Sequence, residues 1–240
     1  MSWRDDVKAL PSFAPAAFEL ELARTGLVIV DMQYVDAHRD YGLGRSLRET
    51  HTAVWDYYFT RIERLVVPNT SRVLDAFRER GMRVIHLTVG PELADGGDMV
   101  PLRRPRTAPG LAPMLHHKGT FEHRILEELA PIEGELVINK TSRGAFNSTA
   151  IERVLKNLDL DALVVCGVST SSCVETTARD AADRGFKVVV VEDATAELDE
   201  ASHDATLRQF AMRWGRVWTT DETLKKVARL GAAVAEPVTV

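Results

Sequence analysis

Cysteine is scarce in this chain, with two residues in 240. Two thiols cannot build a disulfide framework, and they are too few for a zinc site made of cysteine alone. A chain so poor in cysteine fits a reducing compartment, so a cytoplasmic location is expected. Long apolar runs are missing too. No stretch approaches the ~18 residues that span a bilayer, so no membrane association is expected. Met1–Leu22 carries acids and prolines but no apolar segment of a secretory signal, so no leader is expected. Basic residues are not in excess: 30 against 35 acidic ones leave a net charge of −5. That balance argues against nucleic acid as a partner. The first apolar run ends in Asp31-Met32-Gln33, not in a G-x-G-x-x-G turn, so a dinucleotide cofactor is not expected. Repeats and low-complexity tracts are also absent.

What is present is a recurring unit of short apolar run and amphipathic stretch. The apolar content of 45% is enough for one sizeable core, and residues 1–240 read as one domain. Gly26–Asp31, Met82–Thr88, Glu135–Lys140, Ala162–Val168 and Lys187–Val191 are short, rich in β-branched residues and apolar on both faces. That is the pattern of strands buried in a parallel sheet. Arg216–Thr219 is a weaker sixth candidate. Helices are predicted over Asn69–Arg80, Ser148–Asn157, Ser172–Arg184, Glu200–Met212 and Asp221–Leu230. Strands alternating with helices predict a three-layer, doubly wound α/β fold, with helices on both faces of a parallel sheet. Residues 33–68 and 90–131 interrupt the alternation and read as long lid or binding segments. The aromatics Trp55, Tyr57, Tyr58 and Phe59 within the first of them read as a subunit contact.

Ligands of such sheets bind beyond the carboxyl ends of the strands. One acid, Asp31, one lysine, Lys140, and one thiol, Cys173, fall on that rim. Cys166 lies inside an apolar run and reads as core filling. Cys173 instead follows a polar turn and falls in the first turn of a predicted helix, where dipole and backbone N–H groups favour a thiolate. The three groups fit nucleophilic acyl transfer without histidine. A thiolate attacks a carbonyl, a carboxylate moves the proton, and a lysine makes two neighbouring anions tolerable. The turn Ser169–Cys173 offers backbone N–H groups to the developing oxyanion.

These residues resemble the isochorismatase-like cysteine hydrolase superfamily. The resemblance rests on LVIVDMQ at 27–33, on Lys140 through Ala145-Phe146, and on GVSTSSCVETTARDAADRG at 167–185. The run Val188–Glu197 adds to it, and the likeness extends over about Thr25 to Thr220. It implies a six-stranded parallel sheet, with residues 1–24 as an N-terminal extension. It also implies an Asp31–Lys140–Cys173 triad, and a cis peptide at Val168–Ser169 that turns the Ser169 N–H beside that of Cys173 as an oxyanion hole. Homo-oligomers, dimer or tetramer, are implied as well. Gln33, Tyr34, Arg143 and Phe146 are the candidate substrate-binding residues. The family often has an aromatic where Asp36 stands, and Tyr34 or an aromatic of the insertion is expected to replace it. Nicotinamidases of the family carry a histidine metal site after the second strand. Val89–Asp98 holds no histidine, and His116, His117 and His123 read as solvated, so no metal is expected. His86, inside a strand, reads as a partnered core histidine.

The leading expectation is a cysteine amidohydrolase acting on a small carboxamide or ureido compound, with ureido substrates preferred and no cofactor. Vinyl ether hydrolysis by Asp31, as in isochorismatases, is the alternative. A non-catalytic binding protein of the same fold is another.

Overall fold

The structure, a computed structural model, describes residues 3–10, 17–101 and 116–231. Six strands form one sheet in which every pairing is parallel. They are β1 (Thr25–Val30), β2 (Arg83–Val89), β3 (Leu136–Lys140), β4 (Ala162–Val168), β5 (Lys187–Ala196) and β6 (Arg216–Trp218), in the order β3-β2-β1-β4-β5-β6. Side chains alternate between the sheet's two faces, as a period of two requires. Leu27, Ile29, Val164, Cys166, Val189 and Val191 enter one core. Val28, Val30, Leu163, Val165, Val188 and Val190 enter the other. Each fully buried aliphatic side chain contributes about 1.5–3 kcal/mol, which explains why these strands carry hardly any polar residue.

Helices cover both faces. The first core is closed by α5 (Val67–Glu79) through Val73, Leu74 and Phe77, and by Val227 of α9 (Thr220–Arg229). A side-chain and backbone capping box of Thr219 and Glu222 starts α9. The second core is closed by α6 (Ile151–Asn157), α7 (Glu175–Asp183) and α8 (Glu200–Arg213). The N-terminal extension is not a bare tail, because α1 (Trp3–Ala9) lays Trp3 and Val7 against that core. Among the described residues no helix is long and apolar enough to cross a membrane.

Residues 33–68 depart from the expected loop. They form α2 (Tyr34–Ala37), α3 (Gly42–Thr50) and α4 (Thr52–Arg61), followed by a π-helical turn at Ile62–Val66 that runs into α5. The Val67 N–H donates to the Ile62 carbonyl, five residues back. Pro68 has no N–H to give, and the wider turn precedes it; read from the sequence, that proline marks a break. Tyr58 and Phe59 are 1% and 0% exposed, beside Ile62 and Val66 in the first core. Their expected role in a subunit contact is therefore corrected. The helical period turns them inward.

Part of the second interruption is also ordered against the sheet. Tyr34 N–H donates to the Arg124 carbonyl (3.0 Å), Val35 N–H to Glu122 (2.8 Å) and Leu126 N–H to Met32 (2.9 Å). Residues 102–115, the rest of that expected lid, lie outside the described residues. Ser148, the first residue of the predicted helix, lies ahead of α6 and does not cap it. Thr149 Oγ1 accepts the Ile151 N–H (3.1 Å), and Ser148 Oγ accepts from Thr141 N–H (3.2 Å) and pairs with Ser142 Oγ (2.9 Å).

Gly167 shows how tightly β4 lies against β1. Its φ is +116°, and a Cβ there would stand 2.0 Å from the Val30 carbonyl oxygen. Gly167→Ala is expected to destabilise the fold by more than about 1 kcal/mol. A melting temperature equal to that of the wild type would contradict this packing.

Candidate active site

The strand order reverses between β1 and β4, so the crevice for a ligand opens between their carboxyl ends. Asp31 follows β1 directly. Its backbone turns there at φ +51°, and its N–H donates to the Leu87 carbonyl at 3.0 Å. Lys140 ends β3, in register with Val89 of β2. The lysine is 0% and the aspartate 1% exposed. Lys140 Nζ lies 2.8 Å from Asp31 Oδ2 and 3.2 Å from the Ser142 carbonyl oxygen. The other carboxylate oxygen, Asp31 Oδ1, is buried and has no hydrogen-bond partner among the described residues. A buried acceptor in that state calls for an explanation.

Cys173 reaches the same rim from β4. The Val168–Ser169 peptide bond is cis. A π-helical turn, Thr170–Val174, then precedes α7. The Ser169 carbonyl accepts from Ser172 N–H (3.1 Å) and Val174 N–H (3.2 Å), closing the turn. Cys173 is 7% exposed, with Ser172 Oγ 4.0 Å from its sulfur. Cys166 differs: it is fully buried in the first core, and burial pushes its thiol well up.

The turn is braced from two other elements. Glu197, just beyond β5, accepts at Oε2 from Ser171 N–H (2.7 Å) and Ser171 Oγ (2.6 Å), and at Oε1 from Leu198 N–H (2.9 Å). Thr170 Oγ1 lies 2.9 Å from His203 Nδ1, and His203 Nε2 lies 2.9 Å from Arg61 Nη2. A guanidinium only donates, so Nε2 accepts and the proton sits on Nδ1, facing Thr170. Burial first, and then the Arg61 charge, push the His203 pKa down to about 4. Arg61 also donates to the carbonyls of Thr195 and Glu192, both at 3.1 Å. The residues from Val191 to Ala194 bulge out of register between β4 and β5, and this arginine gathers the bulge's carbonyl ends.

Motif spacing does not single out Glu197, Arg61 or His203. One signal is legible in retrospect: His203 shares a helix stripe with Leu207 and Phe210, at i, i+4 and i+7. Tyr58 is a further addition. Its phenol is held protonated, far above its ordinary range, by burial first and then by the charges of Asp36, Glu197, Cys173 and Asp31.

The four expected substrate residues separate. Gln33 is 0% exposed and its amide is fully engaged with backbone: it donates to the His123 carbonyl (2.7 Å) and accepts from Val89 N–H (2.7 Å). It ties β1's exit to β2 and to the strip at 122–126, so its expected contact with substrate is corrected. Phe146 is corrected too. It packs on Phe186, ring centroids 6.1 Å apart, at the start of β5 and away from the rim, with Arg184 over its face. Tyr34 stacks among His38, Tyr41 and Phe121. Arg143 donates from Nε to Ser172 Oγ at 3.0 Å, next to Cys173.

The histidines of the second interruption are not simply solvated. His123 is buried with Nε2 2.9 Å from Asn139 Oδ1, and His116 Nδ1 lies 2.9 Å from Glu122 Oε2. Among the described residues no three of His, Cys, Asp or Glu are grouped to hold a metal ion. His86 is buried inside β2 and lies 3.0 Å from Glu135.

A model of the isochorismatase domain matches residues 25–222. The chain belongs to the isochorismatase family. The maleamate amidohydrolase of Pseudomonas putida is 29% identical, over 68% of this chain and 75% of its own length. The ureidoacrylate amidohydrolase of Agrobacterium fabrum is 31% identical, over 77% of this chain and 81% of its own. A cysteine hydrolase structure from Pseudomonas syringae pv. phaseolicola superposes with a TM-score of 0.72 at 24% identity, covering 88% of this chain and 96% of that one. N-carbamoylsarcosine amidase from Thermoplasma acidophilum shares the fold at a TM-score of 0.58 and 23% identity, covering 82% and 97%.

The His203 environment sets a pH dependence. Unfolded, the imidazole binds a proton near 6.5; folded, only near about 4. Between those values the folded chain holds fewer protons than the unfolded one, so stability is complete above 6.5 and falls as pH drops toward 4. The loss is on the order of 3 kcal/mol at most. His203→Asn is expected to flatten the melting temperature between pH 6.5 and 4. An unchanged acid slope would contradict the assignment.

Proposed function

We propose that this family member is a cysteine amidohydrolase, cleaving the C–N bond of a small carboxamide or ureido compound. The observation that carries the reading is the buried Lys140–Asp31 pair, with one Asp31 oxygen left without a partner among the described residues, on the rim that holds Cys173. The names of the relatives support the bond class. Asp31 takes the Cys173 proton as sulfur bonds to the carbonyl carbon, and Ser169 and Cys173 N–H groups receive the oxyanion. Asp31 then gives that proton to the nitrogen, the C–N bond breaks, and ammonia or an amine leaves. An acyl or carbamoyl thioester remains on Cys173. Water attacks it, with Asp31 taking a proton and returning it to sulfur as the acid is released. Lys140 holds Asp31 oriented between the two halves through its contact with Oδ2. The route uses no metal or cofactor. A thiol nucleophile of this kind fits a reducing cytoplasm.

An ammonia-release screen over small amides, ureas and carbamoyl compounds is expected to find a substrate. Cys173→Ala is expected to lower its turnover roughly 10³-fold or more, and EDTA to leave the wild type unaffected. Retained turnover in Cys173→Ala would favour acid-only chemistry by Asp31. Loss in EDTA, restored by zinc, would overturn the metal-free route.

A further inference from the structure

We propose that Glu197 is a positioning residue for the nucleophile: its buried carboxylate pins the Ser171 amide and so fixes the turn that carries Cys173. This deepens the proposed function and rests on it for the attack by Cys173. Three observations carry it.

The first is the set of contacts. Glu197 stands just beyond β5 and is 5% exposed. Its Oε2 accepts from Ser171 N–H at 2.7 Å and from Ser171 Oγ at 2.6 Å, and its Oε1 accepts from Leu198 N–H at 2.9 Å. Three donors are thus served by two oxygens, and two of those donors are backbone amides. A carboxylate can do this because both its oxygens accept; the amide of glutamine has one accepting atom.

The second is the place of Ser171 in the turn. The Ser169 carbonyl takes the Ser172 and Val174 N–H groups at 3.1 and 3.2 Å, which closes the turn on itself. Thr170 and Ser171 are gripped from outside it, Thr170 Oγ1 by His203 Nδ1 at 2.9 Å and Ser171 by Glu197. His203 holds a side chain. Glu197 holds main chain, and main chain sets the place of Cys173 two residues on. It also directs the Ser171 N–H to itself and not to a substrate oxygen.

The third is charge. The Glu197 carboxylate is felt two residues past the thiol: burial first and, against the pull of Arg179, the Glu197 charge push the Glu175 carboxyl up. An anion in this place disfavours a thiolate. Activation of the sulfur therefore does not account for a carboxylate here, whereas holding backbone does. A nucleophile held to within a fraction of an ångström is what such bracing supplies to a reaction.

Glu197→Gln tests this, because it keeps the shape and removes one of the two acceptors. Hydrogen exchange read by mass spectrometry is expected to quicken over Thr170–Val174 by about tenfold or more. For a substrate found by ammonia release, kcat is expected to fall about tenfold or more, with KM changed by less than about threefold. The pH midpoint for alkylation of Cys173 by iodoacetamide is expected not to rise. Should Glu197→Gln fail to fold, Glu197→Asp, one methylene shorter, carries the same readouts with the same directions expected. An unchanged kcat would overturn the positioning role and leave the cysteine mechanism standing. So would a lower kcat with exchange of the turn unaltered, or with the alkylation midpoint raised. Alkylation of wild-type Cys173 no faster than that of Cys166 would overturn both.

Discussion

A lysine and an aspartate with essentially no exposure face each other across 2.8 Å at the rim of the sheet, and the site is organised around that contact. Burying either charge alone costs several kcal/mol, and losing one partner of such a pair costs about 3–5 kcal/mol. Asp31 and Lys140 come from the two strands that flank β2, 109 residues apart. The pair forms only when β3, β2 and β1 end at the same level. The parallel sheet meets that condition because its strands all run the same way and its crossovers return each chain to the same starting edge. Cys173 arrives from β4, on the other side of the reversal in strand order. The acid and the thiol thus lie on either side of that reversal.

Around this pair the chain invests polar groups in holding backbone, not in meeting solvent. Gln33 stitches β1's exit to β2, Glu197 holds the Ser171 amide, and Arg61 collects carbonyls of the β5 bulge while supporting His203 under Thr170. Each of these groups is buried or half-buried and hydrogen-bonded, the condition under which a polar side chain is tolerable in an interior. The consequence is a Thr170–Val174 turn fixed by side chains from α4, α8 and the end of β5. The helical insertion is part of that support, because Arg61 ends α4.

The sheet was largely legible in the sequence because period-two burial on both faces leaves a plain mark: uninterrupted β-branched runs that end in Asp31, Lys140 and Gly167. Strand ends differ by only a residue or so, apart from β5, which continues through its bulge to Ala196. The triad candidates were legible for the same reason, since the ends of buried strands are where polar residues first reappear. The insertion was not legible. Pro68 marks a break in sequence, and a π-turn absorbs it in space. Gln33 and Phe146 were misplaced because position along a motif does not say which way a side chain turns. Arg61, Glu197 and His203 act through contacts at long sequence separation, which a single chain's local pattern does not encode.

The most direct test of the proposed covalent mechanism is to catch the intermediate. A substrate found by ammonia release is mixed with the protein, quenched in acid during turnover, and the digest is weighed by mass spectrometry. The predicted result is an acyl or carbamoyl mass added to the peptide containing Cys173, absent from Asp31→Asn, with the Cys166 peptide unmodified. Full turnover with no adduct on Cys173 at any quench time, together with undiminished activity of Cys173→Ala, would contradict the account.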